Sequence, residues 1–155
     1  MTVEADAAER LFRPDVTVAV IVPRDGRLLL VEERVRGRLV LNQPAGHLEA
    51  GESLAAAACR ETREETGWDI ELTALVGLYR WAAPDGSEYV RVAFAGAPLR
   101  HHADQPLDAG IERALWLTPG ELRAANARCR SPLVLAVVED WLAGTRLPLS
   151  AVRSL

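Results

Sequence analysis

The sequence predicts an α/β fold: a mixed β-sheet sandwiched by helices. Three observations lead there. Apolar runs that are β-branched or alternate with polar residues recur, bounded by Pro, Gly and Asp turn signals, which is the pattern of strands in hairpins. An alanine-rich segment with helix-start and helix-stop residues interrupts them in the middle of the chain. Two further capped helical segments close the sequence.

Residues 1–11 (MTVEADAAERL) are polar and alanine-rich and read as an N-terminal extension, loose or with a short helical turn; residues 12–155 read as one domain. VTVAVIV, residues 16–22, is long enough for a buried strand. Pro23 to Gly26 turn the chain back, and RLLLVEER is expected as its hairpin partner. RLVLN, residues 38–42, is a further short strand leading into Gln43-Pro44-Ala45-Gly46. A helix follows, opened by Ser53 and stopped by Thr66-Gly67, with Gly67 suited to the left-handed C′ position. DIELTALVGLYRW reads as a long strand, Pro84-Asp85-Gly86 as a turn, and EYVRVAFAG as the returning antiparallel partner. His101 to Gly110 reads as a loop and ERALWLT as a last strand. Thr118 opens a helix with Pro119 at N1 and Glu121 at N3, a capping box. Ser131-Pro132 opens another, LVLAVVEDWLA, closed by Gly144, whose apolar face would pack inward or against a second subunit.

With 155 residues and a hydrophobic fraction of 49%, one well-buried core is expected. A formal charge of −4 argues against a partner bound by neutralising many phosphates of a nucleic-acid polymer. It does not argue against a small phosphorylated substrate bridged by a metal, because the metal supplies the positive charge. Cys59 and Cys129 make no secreted disulfide framework and read as small apolar residues. Neither a signal peptide nor a membrane span is visible, so a cytoplasmic enzyme is the expectation, as a monomer or homodimer.

The functional information is concentrated between Gly46 and Trp68, GHLEAGESLAAAACRETREETGW. Three carboxylates, Glu61, Glu64 and Glu65, crowd into five residues behind Arg60. At about 100° per residue they continue the stripe of Leu54, Ala57 and Ala58, the apolar side of the helix. Like charges at these spacings destabilise an isolated helix by a few tenths of a kcal/mol per pair. A divalent cation would neutralise them, and hard oxygen ligands suit Mg²⁺, with Mn²⁺ as a substitute. Arg60, four residues before Glu64, is placed to hold a carboxylate.

These residues fit the Nudix box, G-x5-E-x7-R-E-U-x-E-E-x-G-U, in which U is a bulky apolar residue. Gly46, Glu52, Arg60, Glu61, Glu64, Glu65, Gly67 and Trp68 occupy its defined positions, and Thr62 stands where an aliphatic is commoner. RPDVTVAVIV, LNQPAGHLEAGESL, WAAPDG and RSPLV resemble the NudJ-type phosphatase branch, so the likeness runs from about Phe12 to Leu149. The resemblance implies an α/β/α sandwich with the box as loop–helix–loop. It also implies Mg²⁺-dependent hydrolysis of nucleoside di- and triphosphates or of pyrophosphorylated thiamine-pathway compounds. By the same resemblance Glu61, Glu64 and Glu65 bind metal together with the Gly46 carbonyl, Arg60 orients Glu61 or Glu64, and Glu52 fixes the loop through an ion pair. Glu61 is the expected group polarising the attacking water, and Glu64 the central ligand. Gly110 stands six residues before Trp116, where relatives often carry a glutamate, so Asp108 and Glu112 are the candidates for a base or ligand outside the box.

Substrate contacts are expected from Arg34, Arg36 and Arg38, from Tyr89 and Arg91 on one strand face, from Trp81 as a stacking ring and from Arg130 in RSPLV. Each has a plainer alternative as surface charge, core packing or helix-end solvation. His47, inside the box loop, reads as structural support. Pro84 lies where ADP-ribose pyrophosphatases of the family tend to carry a proline, and turn formation is its more economical explanation. Nucleoside diphosphate-sugar hydrolysis is thus the enzymatic runner-up, and a catalytically silent ligand-binding domain is disfavoured because every charged box residue is present.

Overall fold

The β-branched run near the start becomes β1 (Asp15–Ile21), and its neighbours decide the architecture. The structure, a computed structural model, describes residues 11–155. The expected extension therefore lies outside the described residues except for Leu11, which is exposed. Buried from Val18 to Ile21, β1 is an inner strand of a mixed sheet. It pairs antiparallel with β5 (Ala45–His47) on one edge and parallel with β7 (Glu88–His101) on the other. β6 (Trp68–Ala82) forms the expected long hairpin with β7 across the Pro84-Asp85-Gly86 turn. In that turn the Gly86 N–H donates to the Ala83 carbonyl, so Pro84 is accounted for by chain reversal.

The chain turns back at residues 23–26 as expected, but residues 16–21 do not pair with residues 27–34; of the expected strand only Val22 does, its carbonyl accepting from the Leu29 N–H at 3.0 Å. β3 (Arg27–Val35) pairs instead with the two-residue β2 (Pro23–Arg24), joined by Asp25 and Gly26 at φ of 49° and 74°. Positive φ at both central residues is the geometry of the tightest hairpin turns, and it spends the reversal on two residues. β1 stays free for its neighbours in the first sheet. β3 leads a second, antiparallel sheet with β4 (Arg38–Asn42) and β8 (Ile111–Leu117). The expected mixed sheet is thus present in the α/β sandwich, with an antiparallel sheet beside it. β5 was missed because three residues around Pro44-Ala45-Gly46 carry no periodicity to read.

Strand alternation builds the sandwich. From β1, β3, β6 and β7, residues Ile21, Leu28, Leu30, Ala74, Val76, Ala93 and Ala95 enter one core. Their chain neighbours Val20, Val22, Leu29, Leu75, Val92 and Phe94 enter the other. The second core is closed by Ala57 and Ala58 of α1 (Leu54–Thr66). The first is closed by Leu122 of α2 (Pro119–Ala124) and by Val134, Val137 and Val138 of α3 (Leu133–Leu142), so the apolar face of the last helix packs inward. Both cysteines are free and pack against these cores. Among the described residues no helix is long and apolar enough to cross a membrane.

Candidate active site

α1 places the carboxylates, and its ends are set as expected. Ser53 Oγ accepts from the Ala56 N–H at 3.0 Å, and Gly67 ends the helix at φ 75°. The Gly67 carbonyl then receives the His102 N–H at 2.8 Å, which brings the chain after β7 back to the end of α1. Gln105 exchanges hydrogen bonds with Arg63, and the Asp108 N–H donates to the Glu64 carbonyl at 3.1 Å. The loop over residues 102–110 is thereby tied along the helix. Gly110, at φ 89°, completes it by accepting from the Arg34 N–H.

The result is a carboxylate trio. Glu61, Glu64 and Asp108 each offer an oxygen, and these lie within 4.8 Å of one another. Asp108 is therefore the candidate outside the box that reaches the cluster. Glu112 turns away and pairs with Arg34 at 2.8 Å. Glu65 is not in the trio: it is buried, and its Oε2 accepts from the Ala45 N–H at 3.0 Å. It lines the same cavity as Glu61 and Gly46. Hard oxygen donors at this spacing fit a Mg²⁺ or Mn²⁺ ion. Gly46 fits as well, because a methyl group there would overlap the Glu61 carboxyl group.

Arg60 is the hub of the box. Its Nε and Nη2 grip Glu52 at 2.9 and 2.6 Å, its Nη1 reaches Glu61 at 2.9 Å and Glu64 at 3.1 Å, and Nη2 also donates to the His47 carbonyl at 3.1 Å. The bidentate Arg60 contact holds the Glu52 carboxyl down at about 2, while these partners raise Arg60 itself. Burial raises Glu61, and Glu64 and Asp108 add to the rise against the opposing pull of Arg60. Burial likewise pushes Glu65 up to about 8, opposed by the Ala45 N–H and reinforced by Glu61, Glu33 and Asp108. Glu61 and Glu65 thus resist ionisation, and a bound cation would favour their charged forms.

Glu61 and Glu65 line a cavity of about 370 Å³ together with Thr17, Glu33 and Asn42. Arg91 and Arg130 line both this cavity and a second one, of about 430 Å³, where Trp81, Tyr89 and Arg36 lie. Trp81 and Tyr89 are cross-strand partners with rings stacked at 5.6 Å and 19°. Arg130 is held by Glu33 at 2.6 Å. Arg91 is 7% exposed, its Nε and Nη1 have no hydrogen-bond partner among the described residues, and burial lowers it to about 10. Of the expected substrate contacts, the fold gathers Arg36, Trp81, Tyr89, Arg91 and Arg130 around the second cavity, and the last two also line the first. Arg34 is turned to Glu112, and Arg38 lies in a groove beside Arg36 and Arg130. His47 is largely exposed at the rim, 3.9 Å from Asp15. Sequence reasoning missed Thr17, Glu33 and Asn42. Thr17 had a signal, a hydroxyl inside an otherwise apolar strand, whereas Glu33 and Asn42 had none.

A glycine-bounded carboxylate helix under a mixed sheet, with a cleft lined by arginine, defines the class: the NUDIX domain matches residues 11–136, and the chain belongs to the Nudix family. It is an enzyme of the Nudix pyrophosphohydrolase type. Among particular relatives, it is 39% identical to Phosphatase NudJ of Escherichia coli strain K12 over 142 residues, 92% of each chain. A NUDIX hydrolase from Nitrosomonas europaea superposes with a TM-score of 0.90 at 44% identity, covering 92% of this chain and 98% of that one. The MutT protein of Methanosarcina mazei Go1, at 18% identity and a TM-score of 0.70 over 88% of this chain and 99% of that one, shares the fold.

Proposed function

We propose that this chain is a Mg²⁺-dependent hydrolase, with Mn²⁺ as a substitute, that cleaves phosphoanhydride bonds of small substrates, foremost nucleoside di- and triphosphates or thiamine-pathway pyrophosphates. The observation that carries this reading is the convergence of Glu61, Glu64 and Asp108, with Glu61 also lining the cavity that Arg91 and Arg130 line. Glu64 is the central metal ligand, with Glu61, Glu65, the Gly46 carbonyl and Asp108 completing the donor set. When bound, the ion neutralises charge on the non-bridging phosphate oxygens and acidifies a bound water. Glu61 accepts the proton of the attacking water, which suits a carboxylate that burial raises above its ordinary value. Arg60 holds Glu61 and Glu64 in register through its own anchor on Glu52. Arg91, Arg130 and Arg36 receive phosphate oxygens, and the Trp81–Tyr89 pair offers a ring face to a base or pyrimidine. Arg34 and Arg38 act at most as long-range positive charge near the entrance.

The deciding experiment is a panel of nucleotides, nucleotide sugars, dinucleotides and thiamine-pathway pyrophosphates. Each is assayed with Mg²⁺, with Mn²⁺ and in chelator, and orthophosphate and pyrophosphate are detected separately. Metal-dependent turnover of di- or triphosphates is expected. No turnover of any anhydride by folded, metal-saturated protein would overturn the proposal.

A further inference from the structure

The group in this cleft least explained by folding is Arg91. It sits on β7 opposite Thr17 of β1 and Tyr79 of β6, on the face that carries Ala93 and Ala95 into the α2–α3 core. A buried arginine that serves structure surrounds its fork with carboxylates or carbonyls, because an unsatisfied buried charge is costly. Here Nε and Nη1 have no partner among the described residues. Each nearby carboxylate gives one oxygen elsewhere, Glu33 Oε1 to Arg130 at 2.6 Å and Glu65 Oε2 to the Ala45 N–H at 3.0 Å, and both attract Arg91 without hydrogen-bonding it. Arg130, the other cation at this spot, repels Arg91. The hydroxyl of Thr17, a residue that lines the cavity beside it, is also without a partner among the described residues. Two arginines and a hydroxyl with unspent donors form a receptor for an oxyanion, and the planar guanidinium fork matches a phosphate.

Its place in the cleft says which phosphate. Arg91, like Arg130, lines both the cavity of Glu61 and Glu65 and the cavity of Trp81 and Tyr89. Resting on the reading of the cleft as a phosphoanhydride hydrolase site, we infer that Arg91, with Thr17, binds the phosphate adjoining the one held at the carboxylates and so makes the enzyme select pyrophosphate esters over phosphate monoesters. A monoester held at the carboxylates leaves Arg91 unpaired, and a diphosphate satisfies it. Arg91 is thus a specificity residue rather than one that touches the attacking water.

The test uses Arg91→Met, which keeps the length and removes the charge, Arg91→Lys, which returns the charge without the fork, and Thr17→Val, which keeps the shape. With Mg²⁺, Arg91→Met is expected to raise KM for a nucleoside diphosphate by roughly ten- to a hundredfold, the size of a lost charge-assisted hydrogen bond, with kcat changed far less. Lysine restores part of the loss, Thr17→Val costs several-fold, and KM for p-nitrophenyl phosphate stays put. In chelator, calorimetry is expected to show inorganic pyrophosphate binding to the wild-type protein more tightly than to Arg91→Met. Melting separates the alternative, since a structural arginine would lower Tm on replacement and an unpaired one leaves Tm level or raises it. Equal pyrophosphate affinity in wild type and Arg91→Met, or an equal KM loss toward both substrate types, overturns the inference. Absence of all hydrolysis by the wild type would instead sink the enzymatic reading, and the calorimetric comparison would still decide whether Arg91 is an anion receptor.

Discussion

With metal stripped by a chelator, the stability of the protein is expected to fall as the pH rises from about 5.5 to about 8, and Glu65 is the group behind much of that fall. Glu65 is held at about 8 in the fold, against an ordinary 4.5, because it is buried and faces the carboxylates of Glu61, Glu33 and Asp108. The unfolded chain releases this proton first, so above the ordinary value the folded state carries the extra proton. Its relative stability is fully present below 4.5 and is lost as the pH climbs through about 8. At about 1.4 kcal/mol per pKa unit the whole shift corresponds to about 5 kcal/mol. Between about pH 5.5 and about pH 8 the fall is about 3 kcal/mol, or roughly 6 to 12 °C in Tm for a chain of this size. Glu65→Gln has the same shape and can still accept the Ala45 N–H, but it does not titrate. The assay is urea unfolding of both proteins in EDTA across this window, followed by tryptophan fluorescence. The gap between them is expected to widen in favour of the variant as the pH rises. Saturating Mg²⁺ should restore the wild type at high pH, because the ion stabilises the ionised carboxylate. A gap that stays constant, or a wild type that gains on the variant with rising pH, would refute this account of the site.

Glu64→Gln is expected to lower turnover by about a hundredfold or more with Tm nearly unchanged, since its side chain is 40% exposed; phosphate release and a melting curve on one sample check both halves. Arg60→Ala frees Glu61 and Glu64 and should cost about ten- to a hundredfold in rate while metal still binds, and a rate equal to wild type would dismiss its orienting role. Gly46→Ala drives a methyl group into the Glu61 carboxyl and should cost about a hundredfold in turnover with little loss of secondary structure; full activity would mean that Glu61 works from a different position.

The box helix was legible in the sequence because its signals are local. The Ser53 cap, the alanine run, the stop at Gly67 and the spacing of Arg60 to Glu65 all lie within a few turns of chain. The capping box at Thr118 was legible for the same reason, with its reciprocal bonds to Glu121 both present. β1 was legible as a strand but not in its pairing, because its parallel neighbour β7 lies about seventy residues on. Asp108 and Glu112 were indistinguishable as letters; a single backbone bond from Asp108 to the end of α1 separates them. Tyr89 and Arg91 were correctly placed on one face by alternation, but nothing in their spacing shows that one stacks on Trp81 while the other is buried with its donors unspent.

By itself, then, the amino-acid order determined the helix that gathers the acids, the glycines at its borders and the family to which the chain belongs. The tertiary structure alone decided that Asp108 joins Glu61 and Glu64, that Arg34 is taken by Glu112, and that Arg91 lines two cavities with its Nε and Nη1 unpaired among the described residues. The division is physical. Periodicity and capping act between residues a few positions apart, whereas burial, strand register and ion pairing depend on which distant segments come to share one volume.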